Sequence, residues 1–391
     1  VVLLMGVTAL MPLSMHVILP AIPAISRGLN APVSTIQLAV SLFLAVVAFG
    51  QLVYGPMSDR FGRKPPLLVG LGIFVVGTLV CAAATSAAML LGGRMLQGLG
   101  ACSGVVLARA MLRDVYPADR SAVLQARMST IVIIAPIASA IIGGMLISWI
   151  GWRWPFVLLA GIGALLLAWT FRIGETNTQR RAAPGAIEML RDFAALLRLP
   201  QFTGAAASIA LNTGALFAFL SQVPGLFEEG LGIPPSRYGF LLAVMPFAFG
   251  TGSFLASRLI PRIGTRRVSV LGSRLVFVTA FGLLASALLV PLSASGLLVP
   301  MVLFNVCQAL TIPGLTTQAI SANLKRIGAA SGLMGFLMMA AGAISTQIIS
   351  LVDDDSALSL GVLVAVLGVG AALSAQWGIR HAPLERGRET R

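Results

Sequence analysis

The sequence predicts an all-α integral membrane protein: twelve spanning helices in two six-helix bundles related by pseudo-two-fold symmetry. Three observations carry that expectation. Hydrophobic residues make up 57% of the chain and charged residues 10%, against roughly 25% charged in a soluble domain. Apolar runs near the length of about 20 residues needed to cross a bilayer alternate with short loops. Basic residues gather in every second loop. A chain of 391 residues with a mean hydropathy of +0.94 cannot hide its apolar surface in one water-soluble core. Lipid offers no partner to a peptide group, so the spans must be helices.

Taken in order, runs punctuated by Gly, Pro and charge place helices at about 2–25, 34–56, 66–85, 88–112, 124–148 and 154–173. A second set falls at about 203–226, 237–259, 267–290, 296–320, 330–351 and 357–379. The first run is long enough to span and more spans follow, so it reads as retained rather than as a cleaved signal. Because the chain opens at Val1, an N-terminal tail is expected ahead of it. Residues 1–173 form the first bundle, 174–202 the linker, 203–380 the second bundle and 381–391 a tail. Within the linker, Ile187, Leu190, Phe193 and Leu197 recur at helical spacing against Glu188, Arg191, Asp192 and Arg198. That pattern predicts an interfacial amphipathic helix.

The net charge of +14 raises a nucleic-acid reading, which its distribution excludes. One set of loops holds Arg60, Arg63 and Lys64; Arg113, Arg120 and Arg127; and Arg172, Arg180, Arg181, Arg191 and Arg198. It continues with Arg258, Arg262, Arg266, Arg267, Lys325, Arg326 and the tail from Arg380. The opposite set holds Arg27, Arg153 and Arg237, with the acids Glu228, Glu229 and Asp353 to Asp355. The positive-inside rule puts both termini in the cytoplasm, against an anionic leaflet. An even number of spans is then required.

Enzyme signatures are absent. There is no G-x-x-x-x-G-K-[ST] for a nucleotide-driven motor and no H-E-x-x-H for a metal, and no cofactor is expected. Cys81, Cys102 and Cys307 lie inside apolar runs, as packing residues without disulfide or metal spacing.

The run Gly55-Pro56-Met57-Ser58-Asp59-Arg60-Phe61-Gly62-Arg63-Lys64 reads as a charged turning loop. Asp59 is one of few acids near the membrane. It is expected to sit against the positive N-terminal end of another helix, that beginning near Ala329, with Arg113 as a second partner. Gly55, Asp59, Arg60, Gly62, Arg63 and Arg113 are thereby candidates for a cytoplasmic gate, closed in the outward-facing state and broken when the halves rock; the plain alternative is a basic anchor on a tight turn. The run Ser257–Arg267 occupies the same place in the second half, keeps the basic-Gly-basic order and lacks the aspartate. Arg94 and Arg109 are intramembrane arginines, costly unless paired or functional; Arg109 lies near a helix end and can snorkel.

These motifs resemble those of the major facilitator superfamily. Gly55 to Lys64 resembles its loop 2–3 signature, and Arg94-Met95-Leu96-Gln97-Gly98-Leu99-Gly100 its helix-4 motif. Ala135-Pro136 with Gly143-Gly144 resembles the antiporter motif, with Ala135 where a glycine is usual. Gly151-Trp152-Arg153-Trp154-Pro155-Phe156 resembles the element before helix 6 in drug exporters. Leu19-Pro20-Ala21-Ile22-Pro23 and Arg113-Asp114-Val115-Tyr116 are similar to the Bcr/CflA group of drug:proton antiporters. The resemblance implies a monomeric exporter in a bacterial inner membrane, working by alternating access and driven by the proton gradient. It implies small amphipathic cargo such as phenicols or bicyclomycin.

One departure lies in helix 1, where His16 stands in place of the group's embedded acid. Proton coupling then falls to His16, Arg94, Asp59 and Asp114, and the cargo is expected to be neutral or zwitterionic. His16, Arg94, Asn212, Phe219, Gln222, Met245, Asn305, Gln308 and Met338 are cavity candidates, each also explicable as helix packing. Pro136, Gly143 and Gly144 form the candidate antiporter motif. Gly98, Gly100 and Gly104 read as close-packing positions. A metabolite exporter, an uncoupled facilitator of the same fold, or a sensor on a transporter scaffold remain alternatives.

Overall fold

The computed structural model describes residues 1–177, 185–323, 326–352 and 357–381. Arg180, Arg181, Lys325, Asp353 to Asp355 and the tail beyond His381 lie outside them, as does the side chain of Arg127.

The first span is broken. α1 (Val2–Val17) gives way to a tight turn at Leu19–Ala21, and α2 (Ile22–Leu29) completes the crossing. Pro20 and Pro23 account for the break, since proline removes a donor and crowds the preceding turn. The bundle continues with α3 (Val33–Phe61), α4 (Lys64–Ala82), α5 (Ala87–Val115), α6 (Ala118–Ile150) and α7 (Trp154–Phe171). The linker helix α8 (Ala186–Leu197) leads to α9 (Pro200–Gly225), α10 (Pro235–Leu242) and α11 (Val244–Ile263). The chain then forms α12 (Thr265–Ala280), α13 (Gly282–Leu289), α14 (Ala294–Ser321), α15 (Ile327–Leu351) and α16 (Ala357–His381). Among the described residues, 11 helical segments are long and apolar enough to cross a membrane, and α6 adds the apolar stretch Ile134–Ile150. α1–α2, α10–α11 and α12–α13 each act as one crossing.

The run Gly55–Phe61, expected as loop, is instead the end of α3, with Pro56 inside the helix. The Ser58 hydroxyl donates to the Gly55 carbonyl at 2.8 Å within this last turn of α3. Only Gly62 and Arg63 separate α3 from α4.

α1, α3, α4, α5, α6 and α7 pack together as one bundle, and α9 with α11–α16 as the other. Side chains at Gly98, Gly100 and Gly104 would strike Phe43 on α3, Phe74 on α4 and Val7 on α1. Small residues on one face after another let α5 sit at the centre of its bundle. α3 against α15 and α6 against α10 and α11 join the halves. On α8, Phe193 and Leu196 are buried in the second half, whereas Ile187, Leu190 and Leu197 are exposed. Arg326 Nε meets Asp192 Oδ1 at 2.7 Å and fixes the helix there.

Candidate functional site

Arg94 is fully buried in the first bundle rather than open to a cavity. Its Nη1 donates to the Ser14 carbonyl on α1 at 3.0 Å and to Gln97 Oε1 at 2.5 Å. Its Nε donates to the Ala39 carbonyl on α3 at 3.4 Å. The guanidinium stacks 4.2 Å from the centroid of Phe43, a cation–π contact strengthened by desolvation. Gln97, in turn, donates to Thr78 on α4 at 3.0 Å. No carboxylate takes part, and Arg94 Nη2 is left without a partner. Gln97 was not singled out from the sequence; its place three residues after Arg94, on the same helix face, was the available signal.

His16 is half-buried at the end of α1, where Nδ1 donates to the Pro12 carbonyl at 2.9 Å. That bond fixes the proton on Nδ1 and makes Nε2 the ring's acceptor. In the second bundle, Asn305 donates to the Met245 carbonyl on α11 at 2.7 Å, and Gln308 donates to Asn305 Oδ1 at 2.5 Å. Asn305, Gln308, Asn212, Phe219, Gln222 and Met245 are all buried, and Met338 is half-buried. The structure therefore brings Met245, Asn305 and Gln308 together, and leaves His16 and Met338 as the cavity candidates with appreciable accessible surface. Ser14 Oγ, Asn212 Oδ1, Ser221 Oγ, Gln308 Oε1 and Thr346 Oγ are buried without partners. Such groups cost about 1–3 kcal/mol each.

The two membrane faces differ. On the face where α2 ends, Arg27 Nη2 meets Glu228 Oε1 across the halves at 2.5 Å. A side chain at Gly239 of α10 would press on the Ala140 carbonyl and approach Gly144 of α6 at 3.6 Å, while Gly143 faces Val17 on α1. Ser139 donates to the Leu13 carbonyl at 2.7 Å. The small residues following the buried Pro136 thus give α6 close contact with α1 on one side and α10 on the other. Deeper, Gln37 donates to the Ser221 carbonyl at 3.3 Å, and Ser41 to Gln347 Oε1 at 3.3 Å.

On the basic face, every described ion pair stays within one half and its linker. Arg63 Nη1 meets Asp59 Oδ1 at 2.6 Å, and Arg63 Nε meets Asp114 Oδ2 at 2.8 Å. Burial works against the Arg63 charge, but the carboxylates of Asp114 and Asp59 outweigh it and hold the guanidinium above its ordinary pKa. In this state Asp59 is therefore paired with Arg63, at i+4 in the corner just beyond α3, rather than with the start of α15. Arg113 is exposed without an ion pair among the described residues, and its neighbour Asp114 supplies the contact instead. Arg60 lies over Phe61 and Arg109 is exposed on α5.

A residue missed in the sequence anchors this corner. Glu175, just beyond α7, accepts from the backbone N–H of Arg63 at 2.8 Å and Lys64 at 3.0 Å, capping α4. Lys64 Nζ donates to the Phe171 carbonyl at 3.0 Å. Burial raises the Glu175 pKa, but hydrogen bonds from the backbone of Asn177, Arg63, Lys64 and Thr176 prevail and lower it. The sequence signal was an acid one turn past a span, ahead of the linker's arginines.

Two helical bundles packed about a shared seam, with an ion pair across the halves on one face and ion pairs only within a half on the other, fit a membrane transporter. The chain belongs to the Major Facilitator Superfamily, whose family model matches residues 4–346. It is 30% identical over 363 residues to a chloramphenicol resistance protein of Pseudomonas aeruginosa, covering 91% of this chain and 85% of that one. It is 26% identical over 363 residues to a bicyclomycin resistance protein homolog of Haemophilus influenzae, covering 91% and 90%. The fold matches a crystal structure of a D-xylose-proton symporter with a TM-score of 0.78 at 16% identity, covering 98% of this chain and 97% of that one.

Proposed function

We propose that this chain exports small amphipathic drugs from the bacterial cytoplasm by alternating access, exchanging them for protons across the inner membrane. The observation that carries this reading is the asymmetry between the faces: Arg27–Glu228 and the α6–α10 contact tie the halves on one side, while Arg63, Asp59 and Asp114 bind within one half on the other. The halves still meet through α3 and α15, Phe49 against Phe336 at 5.5 Å between ring centroids, so the reading rests on the ion pairs: the charged tie between the halves lies opposite the basic face, as expected of a carrier that opens toward that face. The positive-inside rule makes that face cytoplasmic, with both termini there.

The named relatives support antibiotics as cargo. The buried polar atoms without partners on α1, α9, α14 and α15 offer hydrogen bonds without a carboxylate, which suits neutral or zwitterionic compounds such as phenicols or bicyclomycin. His16, with Nε2 as an acceptor, is the proton carrier in this reading, and the protein acts as a monomer. A susceptibility panel in a pump-deficient host, with and without a protonophore, tests it. Export of at least one phenicol or bicyclomycin, lost with the proton gradient and lost in His16→Ala, is expected. No resistance to any compound overturns drug export in favour of a metabolite carrier. Resistance that survives collapse of the gradient overturns antiport.

A further inference from the structure

The outer surface of α12 carries an arginine where a spanning helix has no evident use for one. Arg274 lies nine residues into α12, about 13 Å from its start at 1.5 Å per residue, within the span Thr265–Leu289. It is exposed, and its exposed neighbours Leu271, Leu275, Phe277 and Val278 are apolar. Arg274 thus faces lipid rather than a packed interface. Among the described residues it forms no ion pair. A lipid-facing cation is costly unless it reaches the interface or a counter-charge.

The counter-charge has a place to sit. Arg266, Arg267, Val270, Leu271 and Arg274 line one open groove of about 450 Å³. They recur at helical spacing on one side of α12, with two arginines at headgroup level and the third below them. Arg266 Nη2 donates to the Ile379 carbonyl of α16 at 3.4 Å, which holds that side chain across the groove. Arg267 is exposed and also lacks an ion pair. By helix parity the groove opens in the same leaflet as the α3–α4 corner.

We infer that this groove binds the phosphodiester headgroup of an anionic glycerophospholipid, with its acyl chains along Leu271, Leu275 and Val278. Arg267 and Arg274 clamp the phosphate from above and below, and Arg266 closes the side. A soluble phosphate satisfies the two upper arginines but leaves Arg274 at a depth that water-borne ions do not share with lipid. A bound lipid also places a second, non-transported molecule against the helix pair α12 and α16.

The test uses the full chain in mild detergent, with phosphatidylglycerol or phosphatidylcholine titrated and adducts counted by native mass spectrometry. Each surface arginine is worth roughly fivefold in affinity for an anionic membrane lipid. Phosphatidylglycerol should bind in preference to phosphatidylcholine, and the double variant Arg267→Gln/Arg274→Gln should weaken it by at least tenfold. Arg267→Lys/Arg274→Lys should keep most of the binding, which separates charge from misfolding. Arg258→Gln/Arg262→Gln, equally cationic but outside the groove, should bind as the unaltered chain does. Equal binding by the glutamine double variant, or an equal loss in the outside control, overturns the proposal. Competition by glycerol phosphate at the same concentration overturns the lipid as source.

Discussion

At the corner between α3 and α4, Gly62 adopts φ +94 and ψ 169; at the corner between α11 and α12, Gly264 adopts φ +86 and ψ 151. The backbone turns the same way in both halves, in a region of conformational space used essentially by glycine. Their charges are handled in opposite ways. Around Gly62, Arg63 is held by Asp59 and Asp114, and Glu175 caps α4. Around Gly264 no acid stands among the described residues. Counting from the glycine, Pro261 occupies the place of Asp59 and Thr265 that of Arg63. Arg258 stacks over Phe254, and Arg266 reaches only a carbonyl. The repeat has preserved the turn and divided the labour: one corner is bound into its own bundle, and the other presents its cations to the membrane.

The largest expected effect comes from breaking the shared turn. Gly62→Ala and Gly264→Ala each impose strain of about 1–3 kcal/mol. At Gly62 the new Cβ also meets Glu175 Oε2 at 2.5 Å, whereas at Gly264 it meets nothing within 4 Å. Gly62→Ala must push the cap away and is expected to cost about 1–2 kcal/mol more than Gly264→Ala, the weight of the charge-assisted bonds displaced. Unfolding midpoints of the detergent-solubilised variants measure the difference. Equal losses at the two positions remove the distinction between the corners.

A second test acts on the cap alone. Glu175→Gln keeps the shape and removes the charge that accepts from the α4 amides, for an expected loss of about 1 kcal/mol near neutral pH. The folded pKa of Glu175 is depressed, so its contribution is complete above the ordinary glutamate range and fades as pH falls through the lower folded value. The unaltered chain should lose this increment on acidification, and Glu175→Gln should not. Identical acid dependence in both proteins dismisses the cap as a stabilising element.

The fold was legible because lipid leaves few solutions: apolar runs of spanning length, alternating charge and Gly-Pro punctuation dictate helices and their parity. Family membership was legible because its motifs fall at corners and close contacts, where glycine, proline and arginine have few substitutes. Partners were harder to read. Arg94 announces itself as an intramembrane cation, but its acceptors are the carbonyls of Ser14 and Ala39, and carbonyls leave no mark in a sequence. Glu175 is separated from Arg63 by more than 100 residues. Asp59 pairs with Arg63 in this state, and spacing alone did not reveal that Arg63, at i+4, reaches back to it. Arg274, inside the apolar run at about 267–290, was not singled out in the sequence, because only its exposed apolar neighbours mark it as lipid-facing.

The smallest expected effect comes from copying one corner onto the other. Pro261→Asp with Thr265→Arg restores in the second half the i,i+4 pair that Asp59 and Arg63 form in the first. Exposed pairs of this kind contribute about 0.3–0.5 kcal/mol. The first corner gains more because Asp114 of α5 also holds Arg63, whereas α14 ends in Gln318-Ala319-Ile320-Ser321 and offers no acid. Replacing Pro261 also returns a backbone donor to α11, so Pro261→Ala must be measured beside it. The graft should exceed Pro261→Ala by no more than about 0.5 kcal/mol in unfolding free energy. A larger gain means that a lone local pair suffices at such a corner. The weight placed on Asp114 and Glu175 then fails, and the absence of acids around Gly264 becomes a loss that the second half has left unrepaired.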